Sequence, residues 1–212
     1  MILLTSAKMP DGLDKEVLAE TVRLLFPNEK NQEYIANIEK RAEIAATESL
    51  FALALLYELI RSLPTKRDTS DLVFARSHMG KPYFENSDVR FNVSHSKGYV
   101  AVAVSVGEEL GVDVEATNLP HDRALKMAER YFSESERQQI LREEKSFADL
   151  WSEKEAKAKL FGESIGNMLS KEKKESLDEK SDDVRIHSFS IDEFPVSLCT
   201  KRNFSTIVYT VQ

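Results

Sequence analysis

The chain has a single cysteine, Cys199, among its 212 residues. One thiol cannot form an intramolecular disulfide, so the fold must be held by its core alone, which suits a reducing compartment. No C-x-x-C or H-E-x-x-H spacing is present, which leaves no ordinary zinc site. No G-x-S-x-G elbow marks a serine hydrolase. Seven Gly and six Pro are too few for a long low-complexity segment. No apolar run reaches the roughly 20 residues of a spanning helix, and the apolar run in Met1–Lys8 is too short for a signal peptide. A cytoplasmic protein without membrane attachment is expected. Positive charge is also in deficit. Lys and Arg number 29 against 36 Asp and Glu, a net charge of −7. That argues against general nucleic-acid binding, which depends on neutralising phosphates, but leaves room for a local basic pocket.

What is present reads as a mixed fold. Residues 2–8 suit a strand, and Leu13 to Phe26 an amphipathic helix with Val17, Leu18, Val22, Leu24 and Leu25 as its apolar positions. The longest helical pattern runs over 31–62, with a possible break at Thr47 or Ser49, and stops at Pro64. Strand-like pieces follow at Leu72–Ala75, Tyr83–Phe84 and Val89–Val93. The Val-rich run Tyr99–Val106 is the clearest strand, and a short loop to Leu110–Val114 suggests a hairpin. Helices are expected at Arg123–Arg130, from the capping box Ser133-x-x-Glu136 to about Glu143, and at Phe147–Phe161, closed by Gly162. The charged run 170–183 reads as an exposed loop, and Val184–Phe189, Pro195–Thr200 and Ser205–Val211 as strands. Helices and strands are grouped rather than alternating, which favours α+β.

Three blocks concentrate groups capable of chemistry. Asp113 and Glu115 are two apart on a strand, so they leave the same face, while Val112 and Val114 leave the other. Paired carboxylates repel unless a cation relieves them, and Mg²⁺ takes one or two carboxylates together with substrate phosphates. The plain alternative is two solvated acids at a strand edge. On the helix 147–161, Trp151, Glu155 and Lys159 share a face, either as a core anchor beside a surface ion pair or as a third acid and a phosphate-binding cation. His95 stands between Ser94 and Ser96 in a segment read as a loop, able to offer hydroxyls, an imidazole and backbone N–H groups to a phosphate. Lys81, Lys154, Lys157 and Lys159 lie in or beside these blocks.

The order Gly80-Lys81-Pro82, then Phe91-Asn92-Val93-Ser94-His95-Ser96, then Gly111-Val112-Asp113-Val114-Glu115, then Trp151-Ser152-Glu153-Lys154-Glu155-Ala156 with Lys159, resembles the 4′-phosphopantetheinyl transferase superfamily in its longer single-chain type. Arg130-Tyr131-Phe132-Ser133 with Glu136, and Ile165 and Gly166 after Gly162, extend the likeness. The resemblance implies an enzyme that moves the phosphopantetheine arm of coenzyme A to a serine of an acyl or peptidyl carrier protein, with Mg²⁺, releasing 3′,5′-ADP. It implies Asp113, Glu115 and Glu155 on the metal, Glu155 also as base, and Lys159 on the leaving phosphate. Lys81, Ser94 and His95 are implied at coenzyme A. Glu48 stands where the family commonly has a basic residue, leaving Arg41 or Lys40 to take over that phosphate contact. The implied fold is two similar α+β halves, 1–105 and 106–212, related by a pseudo-twofold axis with the active site between them, in a monomer. A non-catalytic module binding coenzyme A or a carrier protein, or an unrelated Mg²⁺-dependent phosphohydrolase, are the competing readings.

Overall fold

The computed structural model describes residues 1–117, 119–168, 184–201 and 206–212. The charged run 170–183 lies outside them. Among the described residues two larger sheets, each covered by one long helix, and a two-stranded ribbon make an α+β architecture.

The first sheet has the order β4 (Val89–Ser96), β5 (Tyr99–Val106), β1 (Ile2–Lys8), β9 (Ile207–Val211). Its neighbours are antiparallel except that β9 runs parallel to β1. The strand β5 is buried from Tyr99 to Ser105 because both of its faces are covered. Val100, Val102 and Val104 enter one core, beneath the helix α3 (Glu43–Arg61). Tyr99, Ala101 and Ala103 enter the other, against Val112 and Val114 of β6 (Leu110–Val114). The period of two thus separates bulk from smallness. Valines fill the helix side, and alanines let the second sheet approach.

The second sheet has the order β6, β8 (Phe194–Thr200), β7 (Arg185–Ile191), all antiparallel. The helix α6 (Phe147–Phe161) packs on β6 and β8. It starts at a capping box between Ser146 and Asp149 and ends at Gly162, whose φ of 67° places it in the left-handed region that a glycine tolerates. Before it come α4 (His121–Tyr131) and α5 (Glu134–Leu141), the latter opened by the expected Ser133–Glu136 capping box. Phe132, Phe147 and Trp151 stack where these helices meet. A short helix α7 (Ile165–Met168) follows α6. In the N-terminal part, α1 (Lys15–Leu25) and α2 (Asn31–Glu39) pack beside α3, and β2 (Phe74–Arg76) pairs with β3 (Pro82–Phe84).

Four expectations are corrected. The helical pattern 31–62 breaks at residues 40–42, where Ala42 adopts an extended backbone (φ −55°, ψ 143°), and not at Thr47 or Ser49. On α1, Leu18, Ala19 and Val22 face the core, whereas Val17 and Leu24 are exposed. β5 and β6 form no hairpin: β5 pairs with β4 and β1, and β6 pairs with β8 in the other sheet. The segment Ser94-His95-Ser96 is no loop but the end of β4, in register with Tyr99–Ala101. The turn is the next pair, Lys97-Gly98, both at positive φ (49° and 83°), as a two-residue hairpin of this hand requires.

Candidate active site

The site lies at the seam where the edge strand β4 of the first sheet meets β6 of the second. Every second side chain of β4 crosses that seam. Asn92 Oδ1 accepts the Val112 N–H at 2.9 Å, Ser94 Oγ donates to Asp113 Oδ1 at 2.7 Å, and Ser96 Oγ donates to Glu115 Oε1 at 3.3 Å while accepting the Ala116 N–H at 3.2 Å. The spacing Asn-x-Ser-x-Ser is therefore a row of polar side chains on one face of a strand, aligned with Asp113 of β6 and with Glu115 just beyond its end. It holds the two carboxylates in place.

The third acid arrives on α6. Trp151 Nε1–H donates to Glu155 Oε1 at 3.0 Å, one helical turn away. One turn further, Lys159 Nζ donates to Asp113 Oδ1 at 2.6 Å and to Ser94 Oγ at 2.8 Å, and stands 3.7 Å from Glu155 Oε2. The i, i+4, i+8 face is used as the spacing indicated, with Trp151 anchoring it among Phe132 and Phe147. Asp113 is buried, and its Oδ2 has no hydrogen-bond partner. Glu155 has its pKa pushed up, first by burial and then by the negative charge of Asp113, with Glu115 adding to this; Lys159 and the Trp151 N–H pull the other way.

Asp113, Glu115, Glu155 and Lys159 line a pocket of about 360 Å³. The same pocket is lined by Arg41, Ser49, Arg76 and His95, together with Tyr34. Arg41 Nη1 donates to Ser49 Oγ at 3.1 Å, and the Arg76 guanidinium lies 5.0 Å from the centre of the Tyr34 ring. His95 Nδ1 is 2.8 Å from Glu48 Oε2. Burial holds the His95 pKa below its ordinary value, aided by Lys159 and Arg41 and opposed by Glu48. One pocket thus joins three acids to a set of cations, an arrangement that can hold a polyanion against a group needing deprotonation.

Of the residues singled out in the sequence, Asp113, Glu115, Glu155, Lys159, Ser94, His95 and Arg41 come together here. Lys81 does not line this pocket. Its Nζ bonds Glu109 Oε2 at 2.9 Å, the Leu110 carbonyl at 3.1 Å and the Leu160 carbonyl at 3.4 Å. The C-terminal end of a helix attracts such a cation, so Lys81 ties the β2–β3 hairpin to α6 and β6. Lys154 bonds Glu136 of α5 at 2.7 Å, and Lys40 bonds Asn37. Arg76, Ser49 and the pairing of Glu48 escaped the sequence reading. Arg76 lies in a three-residue strand with no motif around it, and Glu48 reads as an ordinary helix acid until its burial is seen. Asn92 and Ser96 carried a usable signal, the period-two polar row.

Among the described residues no three carboxylate or imidazole groups already stand as a metal-binding cluster. The chemistry nevertheless fits a hard cation. The donors are carboxylate oxygens, the buried Oδ2 of Asp113 lacks a partner, and the mutual repulsion that raises Glu155 is what a cation relieves.

Residues 109–207 match the model of the 4′-phosphopantetheinyl transferase superfamily, and this match, with the relatives that follow, supports assignment of the chain to that superfamily. It is similar to the 4′-phosphopantetheinyl transferase gsp of Aneurinibacillus migulanus, 28% identical over 171 residues, covering 78% of this chain and 68% of that protein. It is also similar to the 4′-phosphopantetheinyl transferase psf-1 of Bacillus pumilus, 35% identical over 150 residues, covering 63% of this chain and 61% of that protein. A third relative, the provisionally named 4′-phosphopantetheinyl transferase slr0495 of Synechocystis sp., is 37% identical over 106 residues, 46% of this chain and 43% of that protein. The chain thus spans less than two thirds of the length of two of these three relatives. Among the described residues no helix is long and apolar enough to cross a membrane.

Proposed function

We propose that the protein transfers the 4′-phosphopantetheine arm of coenzyme A to a serine of an apo acyl or peptidyl carrier protein, releasing 3′,5′-ADP, with Mg²⁺ as cofactor. The observation that carries this reading is the convergence of Asp113, Glu115, Glu155 and Lys159 with Arg41, Arg76 and His95 on one pocket. Transfer from a pyrophosphate diester calls for cations along the phosphates and a base for the attacking hydroxyl, and the lining of the pocket supports both.

In this reading Arg41, Arg76 and His95 bind the phosphates of coenzyme A, with Ser94 beside them. The carrier serine attacks the pantetheine-side phosphorus of the pyrophosphate. A new P–O bond forms to serine, the bond to the bridging oxygen breaks, and the electron pair leaves on 3′,5′-ADP. Glu155 takes the serine proton, directly or through a water. Burial and neighbouring acids raise its basicity. Lys159 faces the charge that gathers on the bridging oxygen, and its bonds to Asp113 and Ser94 hold it there. Asp113, Glu115 and Glu155 would hold Mg²⁺, which supplies charge neutralisation on the pyrophosphate when bound. Lys81, bonded at the junction of β6 and α6, orders the site's frame on this reading rather than reaching the ligand.

The two helix-covered sheets support, as part of the same proposal, a pair of halves related by a pseudo-twofold axis. β9 joins the first sheet beside β1, so the second half returns to the first. An active site between halves of one chain fits a monomer.

Incubation with coenzyme A, Mg²⁺ and an apo carrier protein, followed by mass spectrometry of the carrier, tests the proposal. A gain of one phosphopantetheine unit is expected. Coenzyme A binding without any gain would make the protein a non-catalytic binding module.

A further inference from the structure

Glu48 has no part in the proposed reaction, yet its side chain is only 6% exposed and reaches the wall of the pocket. Both of its oxygens are engaged. Oε1 accepts the Gly98 N–H at 2.6 Å, and Oε2 meets His95 Nδ1 at 2.8 Å. Gly98 is the second residue of the β4–β5 turn. One carboxylate on α3 therefore fastens the tip of that hairpin and the imidazole beside it.

The other ring nitrogen decides what this contact does. His95 Nε2 is 3.3 Å from Ser49 Oγ. The Ser49 hydroxyl already donates to the Ala45 carbonyl at 2.7 Å, and Arg41 donates to the same oxygen. A hydroxyl has one proton, so Ser49 can only accept from the ring. Both ring nitrogens thus face acceptors. A neutral imidazole satisfies one of them, and only an imidazolium satisfies both. Burial and the cations Lys159 and Arg41 oppose that charge. An anion lying against Arg41 and Lys159 cancels their opposition.

We infer that Glu48 is a positioning residue that fixes His95 with its Nδ1–H on the carboxylate and acts as buried counter-ion to the imidazolium that forms when a polyanion enters the pocket. The inference rests on the coenzyme A reading given above. The proton comes from solvent and ends on Nε2, which then donates to Ser49 Oγ or to a phosphate oxygen. The charges around the ring are Glu48 from α3, Arg41 from the α2–α3 link and Lys159 from α6. The same pocket is also lined by Arg76 of β2, Asp113 of β6, Glu115 just beyond it, and Glu155 of α6.

Two measurements on the full chain test this. Imidazole ¹⁵N spectra of the ligand-free protein, with the His95 signals assigned by their loss in His95→Gln, report tautomer and ring titration. Calorimetric titration with coenzyme A in buffers of different ionisation enthalpy counts protons taken up on binding. In the wild type the ring carries Nδ1–H at neutral pH, and binding takes up more protons than in His95→Gln. Glu48→Gln, which keeps an oxygen for the Gly98 N–H, shifts the ring toward the Nε2–H tautomer. It also lowers proton uptake to the His95→Gln level and weakens coenzyme A binding roughly ten- to a hundredfold, the loss of one charged hydrogen bond. Glu48→Asp restores part of the uptake. An unchanged tautomer and unchanged uptake in Glu48→Gln overturn the inference. If the ring responds to Glu48 but coenzyme A does not bind, the functional reading falls, and the ligand-linked protonation falls with it.

Discussion

Gly111 of β6 lies directly beneath Ala156 of α6, so close that a Cβ on Gly111 would sit 2.0 Å from the Ala156 carbonyl oxygen and 2.4 Å from the Leu160 amide nitrogen. Both obstacles are backbone and cannot turn aside. The contact sets the height of α6 over β6, and with it the distance from Glu155 and Lys159 to Asp113. The glycine that opens Gly-Val-Asp-Val-Glu is thus a spacing device for the site two residues away.

Gly111→Ala must lift α6. Overpacking of this kind costs typically about 1–3 kcal/mol, occasionally more, and backbone atoms place this case toward the upper end. The variant is expected to melt lower and, at a temperature where it remains folded, to transfer less phosphopantetheine per folded molecule. Denaturant unfolding and the transfer assay on one preparation check both parts. Wild-type stability would show that α6 moves freely.

Glu155→Gln keeps the size of the side chain and an oxygen for the Trp151 N–H, but removes the charge and the basicity. Loss of a general base lowers rates by about 10²–10⁴. The folded state should keep or gain slightly in stability, because the substitution relieves repulsion with Asp113 and Glu115. Turnover should fall while coenzyme A affinity changes far less. Turnover equal to wild type at saturating Mg²⁺ and carrier would remove Glu155 from the proposed mechanism.

Asn92→Ala strips the acceptor from the buried Val112 N–H. Leaving one buried donor unsatisfied costs about 1–3 kcal/mol. Because Asn92 does not line the acid pocket, the loss is expected in the unfolding midpoint first. Activity should follow only through looser placement of Asp113. A midpoint that does not move would mean that the seam between the sheets is held elsewhere.

Glu136 supplies a pH-dependent term. Burial raises its carboxyl, but the Lys154 ammonium and the Ser133 N–H and hydroxyl outweigh burial, and its pKa ends below the ordinary 4.5. A depressed acid stabilises the fold above its unfolded pKa, and the contribution disappears as pH falls through the folded value. Glu136→Gln should therefore cost about 1–2 kcal/mol at neutral pH. The gap to wild type should close as the pH drops below 4.5. Urea unfolding at neutral and acid pH measures the gap, and a gap independent of pH would contradict the assignment.

Cys199 is fully buried on β8, and burial pushes its thiol up to about 12. The thiolate is the reactive form, so an alkylating reagent at neutral pH should leave the native protein unlabelled and label it once after unfolding. Rapid native labelling would place that strand at the surface.

The period-two and period-3.6 patterns were enough to place Asp113 with Glu115 on one strand face and Trp151, Glu155 and Lys159 on one helix face, because those relations depend only on local backbone geometry. Caps were equally legible. Ser133 with Glu136 and Gly162 act where their chemistry indicated, since each satisfies backbone groups a few residues away. Relations between distant segments were another matter. The loop length between β5 and β6 suggested a hairpin, but β6 finds a better partner in β8, and strand choice depends on the whole core. Ser94-His95-Ser96 looked like a loop from its polar composition, yet its alternate hydroxyls reach across to the acids of β6, a satisfaction visible only once the sheets meet. The break at residues 40–42 carries no Gly or Pro, so no residue type in the sequence marks it. The bonds of Lys81 to Glu109 and to the Leu110 and Leu160 carbonyls join segments far apart in sequence, and no local pattern announces them. Glu48 is the clearest case. A carboxylate on a helix is ordinary in sequence, and only burial against His95 and the turn at Gly98 gives it a partner and a charge to balance. The sequence by itself determined which side chains share a local face. The tertiary structure decided which faces meet, because burial, electrostatic neighbours and strand pairing are properties of the assembled chain.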